Sequence, residues 1–178
     1  MLDPWLEDHG LEGNTRGLLF FAVSQRGGPV EPGGVNRFTG PHANAMVLWL
    51  ESLGLRSEAV GRRAFAAVML EKLIWNSAFG LLCERYQVDV RAVLDDHADE
   101  LAALARELGA VGRVALGIDL DPDTLLANLR AYASSIPRTR AGLKEWPWRG
   151  GWFVAAAHRR ELALPTHAAL VAALPQPP

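Results

Sequence analysis

Hydrophobic and polar positions follow two different periods along the chain. Near the N-terminus, apolar residues form short aromatic and branched runs, Leu18–Val23 and Val35–Phe38, with the turn sequence Gly27-Gly28-Pro29 between them. Two such runs joined through Gly and Pro predict a β-hairpin. From Ser57 onward the strand pattern disappears and apolar residues recur at helical spacing. We therefore expect a predominantly helical protein with one small N-terminal hairpin.

Most of the remaining chain is predicted to be helical. The helix over residues 58–86 carries apolar residues nearly all round, so it should be central and buried. Ser57 precedes it, and serine is among the preferred N-caps. Asp121 and Pro122 mark another helix start, because proline at the first helical position costs no hydrogen bond. The other expected helices are a short one at "DPWLED", one at residues 42–53, one at 90–117 with a bend near Asp96, "WFVAAAHRREL" and "THAALVAAL".

The composition is that of a globular protein. Of the 178 residues, 49% are hydrophobic and 21% are charged, and the formal net charge is −2. The basic residues are scattered, so no basic stripe indicates a nucleic-acid partner. No apolar run approaches a membrane span of about 20 residues, and the acidic N-terminus does not resemble a signal peptide. We expect a cytoplasmic protein without a membrane partner, in which the single Cys83 is a small buried hydrophobe.

Two sets of candidate metal ligands do not have the pattern that a metal needs. Asp119, Asp121 and Asp123 have the spacing that opens a calcium loop. Such a loop has Gly at its sixth position and Glu at its twelfth, where this chain has Thr124 and Arg130. Capping of the following helix accounts for the carboxylates instead. The five histidines show no paired spacing, so we assign no metal site.

Lys72 places a charge on the apolar helix predicted at residues 58–86. Asn76 is four residues further on and therefore shares its helical face. Burial of an ammonium group is costly, so such a lysine either extends to the edge of the helix or meets a carboxylate or ligand. Asn76 favours the second alternative, because a second buried polar group also needs a partner.

The segment "KEWPWRGGWF", residues 144–153, surrounds Glu145 with three tryptophans and two adjacent glycines. So much aromatic surface is typical either of a bulky packing element or of the wall of a site. Glu145 is correspondingly either a surface partner of Lys144 near a helix start, where a carboxylate is mildly favoured, or an acidic group within a site. Ser134 and Ser135, which end the preceding helix, are turn residues by default.

Several blocks of the chain occur in the order and spacing of one known family. They are "GGPVEPGGVNRFTG", "EKLIWN", "LARELGAVGRVALGIDLDPDTLL", "ASSIPRTRAGLKEWPWRGGWF" and "LALPTHAAL". Over nearly all 178 residues the chain resembles the ketopantoate reductase family, from the end of its nucleotide domain through its helical C-terminal domain. "MLEKLIW" and "KEWPWRGGWF" are most similar to a poorly characterised branch of that family found in plants and bacteria.

The resemblance implies a fold, a division of the chain and a reaction. Residues 58–178 would form a mainly α bundle like the C-terminal domain of 6-phosphogluconate dehydrogenase, and residues 1–57 an α/β annex that is the remnant of a nucleotide-binding domain. The family is an oxidoreductase family that reduces ketopantoate to pantoate with NADPH, in pantothenate biosynthesis. A small keto acid or hydroxy acid is then the expected ligand, and a homodimer is left open.

The resemblance also assigns roles by matching positions. Lys72 would be the general acid that protonates the substrate carbonyl oxygen as hydride arrives. Glu145 would bind the substrate hydroxyl and help hold the lysine. Asn76 would contact the lysine or the substrate, and Ser134 or Ser135 would meet the substrate carboxylate. The pKa of a donor in a desolvated pocket beside a carboxylate can be shifted toward the working pH. The tryptophans would be the walls that keep water from Glu145.

The chain departs from the family pattern in two places. Gly80 stands where the family has a second asparagine, eight residues after the lysine, and no strand–GxGxxG–helix unit for NADPH occurs in the sequence. We therefore expect the substrate-binding and catalytic half of a reductase that binds no cofactor alone and needs a separate nucleotide-binding domain. The alternatives are a stand-alone, non-catalytic helical module for dimerisation or small-acid binding, and cofactor-free chemistry at Lys72.

Overall fold

The computed structural model describes residues 3–22 and 26–175. The chain divides into two compact units, with the boundary between Met69 and Leu70. The boundary expected after residue 57 therefore falls inside the N-terminal unit. Phe65, which lies beyond that expected boundary, is buried in the N-terminal unit, and the Arg16 guanidinium lies 5.6 Å from the centre of its ring. The side chains that build the N-terminal core therefore extend past residue 57.

Short strands and two helices make up most of the N-terminal unit. Its elements are α1 (Asp3–Asp8), β1 (Arg16–Leu18), β2 (Phe21–Ala22), β3 (Glu31–Pro32), β4 (Asn36–Thr39), α2 (Ala43–Ser52) and β5 (Ser57–Ala59). Long helices dominate the rest of the described chain. They are α3 (Arg62–Tyr86), which begins before the unit boundary, α4 (Val90–Asp96), α5 (Ala98–Leu116), α6 (Pro122–Ser135), α7 (Gly150–His158) and α8 (Pro165–Ala172), with a 3-10 turn at Trp146–Trp148.

The predicted hairpin is present, although its first strand is interrupted. β1 pairs antiparallel with β4, and β2 pairs antiparallel with β3. Between β1 and β2, the Phe20 amide donates to Oδ1 of the buried Asn36 at 2.8 Å, and the Asn36 amide nitrogen donates to the Arg56 carbonyl at 3.0 Å. Asn36 thus satisfies backbone groups where the ladder breaks. Val23, the last residue of the predicted strand, lies outside the described residues.

The prediction of Ser57 as a helix cap is wrong. Ser57 lies in β5, which pairs in parallel with β4 on the edge opposite β1. Its hydroxyl donates to the Leu55 carbonyl at 3.0 Å. The strand is only three residues long and its partner precedes it by some twenty residues, so local sequence patterns do not reveal it. Together, β4, α2 and β5 form a small βαβ unit.

In the C-terminal unit, α3 is central and buried, as its apolar pattern predicted. Leu70, Ile74, Ala78 and Leu81 are fully buried along it, as is Cys83, whose thiol pKa is raised by burial. Buried leucines of α5 and α6 complete this core. Among the described residues, α3 alone is long and apolar enough to cross a membrane by length and composition, but 56% of its most apolar window is buried inside the protein. The core helix of a folded protein passes the same test.

The predicted bend and cap between the helices that follow α3 are both confirmed. α4 and α5 are separated at His97, directly after the expected bend at Asp96. α6 begins at Pro122, and the Asp121 carboxylate accepts from the Thr124 amide at 2.9 Å. Asp121 therefore acts as the helix cap. The short helices α7 and α8 end the described chain.

Two glycines of α5 offer a direct test of how tightly α3 is packed. A Cβ on Gly112 would collide with the methyl groups of the fully buried Leu70, whereas a Cβ on Gly109 would meet its nearest neighbour, Leu125, at an ordinary 3.6 Å. Gly109→Ala should raise the free energy of unfolding by up to about 1 kcal/mol through helix propensity. Gly112→Ala should lower it by about 1 kcal/mol, because overpacking a core costs roughly 1–3 kcal/mol. Urea denaturation followed by circular dichroism measures both, and a Gly112→Ala protein as stable as Gly109→Ala would contradict the close approach.

Candidate functional site

Lys72 is the most perturbed amine in the described chain. It lies on α3 and is half-buried. The pKa of Lys72 is lowered from an ordinary 10.5 to about 8, first by burial and then by the positive charge of Arg149. Both effects disfavour the ammonium form. A lysine tuned in this way can exchange a proton close to neutral pH.

Arg149 links Lys72 to the segment that contains Glu145. An Arg149 guanidinium nitrogen lies 3.0 Å from a carboxylate oxygen of Glu145, and the two residues are four apart. The Glu145 carbonyl also accepts the Trp148 and Arg149 amides at 2.9 and 3.2 Å. Backbone and side chain of Glu145 therefore both bind the turn that follows it.

The carboxylate of Glu145 forms an ion pair within its own segment. Its partner there is Arg149, and its side chain is 65% exposed. The reason for this pair is local: the 3-10 turn brings Arg149 back over Glu145, while Lys72 belongs to a helix 73 positions earlier in the sequence. Glu145 thus compensates the charge of Arg149, which in turn acts on Lys72. The expected contact of Glu145 with Lys72 stays a prediction.

The tryptophans of this segment differ in their surroundings. Trp146 is half-buried and its indole covers the start of α7, where a Cβ on Gly150 or Gly151 would come within 2.5 or 2.8 Å of its ring. The two glycines are therefore needed for this contact. Trp152 is half-buried and packs edge-on against Phe153 at 5.0 Å, while Trp148 is 48% exposed. Trp146 is thus a packing element.

Asn76 and the two serines lie on the two helices that flank this region. Asn76 is half-buried on α3, one turn after Lys72. Ser134 and Ser135 are exposed at the C-terminal end of α6. The Ser135 hydroxyl donates to the Tyr132 carbonyl at 2.7 Å, which is an ordinary helix-end bond. The structure therefore brings Asn76 next to Lys72 and leaves the serines at a helix end.

Sequence reasoning missed two residues, one at this site and one that packs on α3. Arg149 is the first, although its spacing of four from Glu145 is the pattern of an ion pair. Tyr132 of α6 is the second. Its ring packs edge-on against Trp75 of α3 at 4.9 Å, and burial raises its phenol pKa. No spacing in the sequence points to Tyr132, since its environment comes from the pairing of two distant helices.

At Gly80, where the family has a second asparagine, the backbone of a neighbouring loop leaves no room for a side chain. A Cβ on Gly80 of α3 would lie 2.9 Å from the carbonyl oxygen of Gly142. The loop before Lys144 therefore packs directly on the helix at this point. Any larger side chain at residue 80 would have to displace that loop.

The turn between β4 and α2 does not fit the pyrophosphate of a nicotinamide nucleotide. The strand–turn–helix from β4 into α2 is the place where a βαβ unit would hold a pyrophosphate. Pro41 has no amide proton, and the amide of His42 is already bound to the Thr15 hydroxyl at 2.8 Å. Gly40 is required by chain packing, since its Cβ would lie 2.7 Å from the Thr15 backbone. This turn therefore has no free row of amides for phosphate.

No group of three or more metal-ligating His, Cys, Asp or Glu side chains occurs within the described residues. The sequence likewise shows no paired histidine spacing.

The fold is similar to that of several solved structures of dehydrogenases and reductases. A D-mandelate dehydrogenase in complex with NADH matches 90% of this chain at a TM-score of 0.69 and 16% identity, and 60% of that protein is covered. A PanE/ApbA family ketopantoate reductase from Ralstonia eutropha JMP134 matches 88% at a TM-score of 0.68 and 18% identity, with 56% of it covered. A 2-dehydropantoate 2-reductase from Methylococcus capsulatus matches 88% at 0.69 and 20% identity, with 60% of it covered.

The comparison confirms the resemblance to ketopantoate reductases at the level of the fold. The chain spans about three-fifths of the length of these proteins. No protein-family model and no curated protein matches the sequence.

The lowered pKa of Lys72 has a measurable effect on stability. Because the folded protein releases this proton at pH about 8 and the unfolded chain near 10.5, the unfolded chain binds more protons between these values. The free energy of unfolding contributed by Lys72 should therefore rise across this window, by roughly 1–3 kcal/mol. Lys72→Met should remove this rise, and the control Lys144→Met, which changes the chain's other lysine, should keep it. Urea denaturation at pH 7.5 and 10.5 measures the difference, and identical pH slopes for wild type and Lys72→Met would contradict the assignment.

Proposed function

We propose that these residues form the substrate-binding and catalytic half of a ketopantoate-reductase-like, NADPH-dependent oxidoreductase that takes a small keto acid at Lys72. The observation that carries the proposal is the half-buried Lys72 with a pKa of about 8 beside Arg149. The shared fold supports it, since the similar structures include ketopantoate reductases and a D-mandelate dehydrogenase.

The charges at this site suit a keto acid. Lys72 and Arg149 carry two positive charges near each other, and Glu145 offsets one of them. A guanidinium binds carboxylates with two parallel hydrogen bonds, and the Lys72 ammonium can bind the same anion. Asn76 can donate to the same ligand from one turn further along α3. In this proposal Ser134 or Ser135 contributes at the substrate carboxylate, as in the family pattern.

Lys72 is suited to the role of general acid. With a pKa of about 8 it is mostly protonated at neutral pH, yet it gives up the proton more readily than an ordinary lysine. Its ammonium would hold the proton at the oxygen of the keto group. Since the turn between β4 and α2 does not fit the pyrophosphate of NADPH, the proposal covers binding, orientation and the position of this proton, and a separate nucleotide-binding domain would complete the enzyme. We place the protein in the cytoplasm, and a homodimer is compatible with the proposal.

One observation favours the alternative of a non-catalytic helical module. Gly80 and the Gly142 carbonyl occupy the place of a family asparagine, so one polar contact to a substrate is absent. A module that kept acid binding or dimerisation without catalysis would show this loss. The binding experiment below distinguishes a retained acid site from a bare scaffold.

Ketopantoate should bind at neutral pH, and its affinity should fall as the pH rises through about 8, because Lys72 then loses its charge. Lys72→Met and Arg149→Met should each weaken binding about ten- to a hundredfold, as expected for a charge-assisted hydrogen bond. Glu145→Gln should weaken it less, because it alters the expected bond to the substrate hydroxyl but also removes the negative charge that offsets Arg149. Isothermal titration calorimetry of the 178-residue chain measures all three.

Lys144→Met is the matched control for this experiment, because Lys144 is exposed and is the only other lysine. It should bind ketopantoate like wild type. Equal losses in Lys72→Met and Lys144→Met would show that binding depends on overall charge. No binding in wild type would leave the helical module as the better interpretation.

NADPH should not bind to the 178-residue chain at micromolar concentrations, because the turn before α2 lacks free amides for its phosphates. Titration followed by nucleotide fluorescence measures this directly. Saturable micromolar binding would show that the chain holds the nucleotide elsewhere.

A further inference from the structure

The helix α2 of the N-terminal unit is apolar on two opposite faces. Its inner face packs on β4 and β5 and consists of Ala43, Met46, Val47 and Leu50. Its outer face is exposed, although Glu51 is the only charged residue of the helix. Leu48 is 69% exposed, Trp49 is 56% exposed, and Leu53, directly after the helix, is 60% exposed. A helix that is apolar on both faces is usually covered on both, so this outer face indicates a partner.

The outer face, defined by Ala45, Leu48, Trp49, Ser52 and Leu53, matches itself when it is turned end for end. Ala45, Leu48 and Ser52 lie in one line along the helix, at positions i, i+3 and i+7. A second copy in the opposite direction would place Ala45 against Ser52 at both ends and Leu48 against Trp49 at the centre. Small residues at the ends allow two helices to approach to about 8–10 Å. The Ser52 hydroxyl already donates to the Trp49 carbonyl at 2.7 Å, so it adds no unpaired group to such a contact.

The polar flank of the outer face fits the same antiparallel arrangement. Asn44 and Glu51 are both exposed and, seven residues apart, lie on the same side of α2. In an antiparallel pair related by a two-fold axis, this flank of one helix meets the same flank of the other. Asn44 of each copy then lies beside Glu51 of the other, where its amide can donate to the carboxylate. A parallel pair would instead place the two Glu51 carboxylates opposite each other, so the charges favour the antiparallel arrangement.

We propose that the outer face of α2 is an interface with a second copy of this chain, in which the two α2 helices pack antiparallel about a two-fold axis. Two-fold dimers are the commonest soluble oligomers, and they require a self-complementary surface. One helix of ten residues offers less than the roughly 800 Å² per partner of a standard interface, so the dimer should be weak and depend on concentration. None of the residues proposed to bind the keto acid belongs to α2, so this inference does not rest on the proposed function.

Sedimentation equilibrium of the whole chain at low and high micromolar concentration tests the dimer. The mass should rise from 19.4 kDa toward twice that value and no further. Leu48→Glu should weaken association at least about tenfold, because it places a carboxylate in an apolar contact. Val114→Glu is the matched control, since Val114 is 48% exposed on α5 and lies outside the outer face. It should associate like wild type, and circular dichroism should show unchanged helix content in both variants.

Three results of this experiment would overturn the proposal. They are a wild type that stays at 19.4 kDa, association that Leu48→Glu leaves unchanged, and equal loss in Leu48→Glu and Val114→Glu. The first result would indicate that another partner, such as a separate nucleotide-binding domain, covers the outer face.

Cysteine cross-linking tests the direction of the two helices. A mixture of Ala45→Cys and Ser52→Cys proteins should form a disulfide between copies on oxidation with copper phenanthroline. Ala45→Cys alone should not, because its two copies would be about 10 Å apart along the helix axis, beyond the reach of a disulfide. Cys83 is fully buried and does not compete. Efficient cross-linking of Ala45→Cys with itself, or none in the mixture, would overturn the antiparallel arrangement.

Discussion

Close packing around α3 is the constraint on which the C-terminal unit depends. Leu70 is fully buried and approaches Gly112 so closely that a Cβ there would collide with its methyl groups, and Gly80 meets the Gly142 carbonyl in the same way. Both contacts require glycine on one side, because protein interiors have little free volume. Lys72 lies between Leu70 and Gly80 along α3. Its charge therefore stands close to a densely packed interior, which is the first cause of its lowered pKa.

The electrostatic consequence is a lysine that is disfavoured in its charged form. Burial is the first cause of the lowered pKa of Lys72, and the positive charge of Arg149 is the second. Glu145 pairs with Arg149 from an exposed position, where a salt bridge contributes little stability. Keeping Lys72 protonated at this position therefore costs stability in the folded protein.

The features that sequence could predict are those fixed by neighbours within a few residues. The Asp121 cap, the bend after Asp96 and the hairpin all follow from local signals, and the helical face of Lys72 follows from spacing. The parallel pairing of Ser57 in β5 depends on a strand some twenty residues earlier, so a good N-cap residue was misread as a cap. The Glu145–Arg149 pair was missed for a different reason. The family resemblance drew attention to Lys72, while the positive φ of 51° at Glu145 and the 3-10 turn after it bring Arg149 into contact with Glu145.

The aromatic segment depends on the contact between Trp146 and the two glycines that follow it, Gly150 and Gly151. A non-glycine residue in the left-handed region costs about 1 kcal/mol or more, so Glu145 needs support from its surroundings. The indole of Trp146 supplies it, because its ring fits against Gly150 and Gly151 and no other residue there would allow that approach. The centre of the same ring lies 5.8 Å from that of the buried His167 on α8. Trp146 therefore lies against both the start of α7 and His167, so a change at residue 146 would affect both helices.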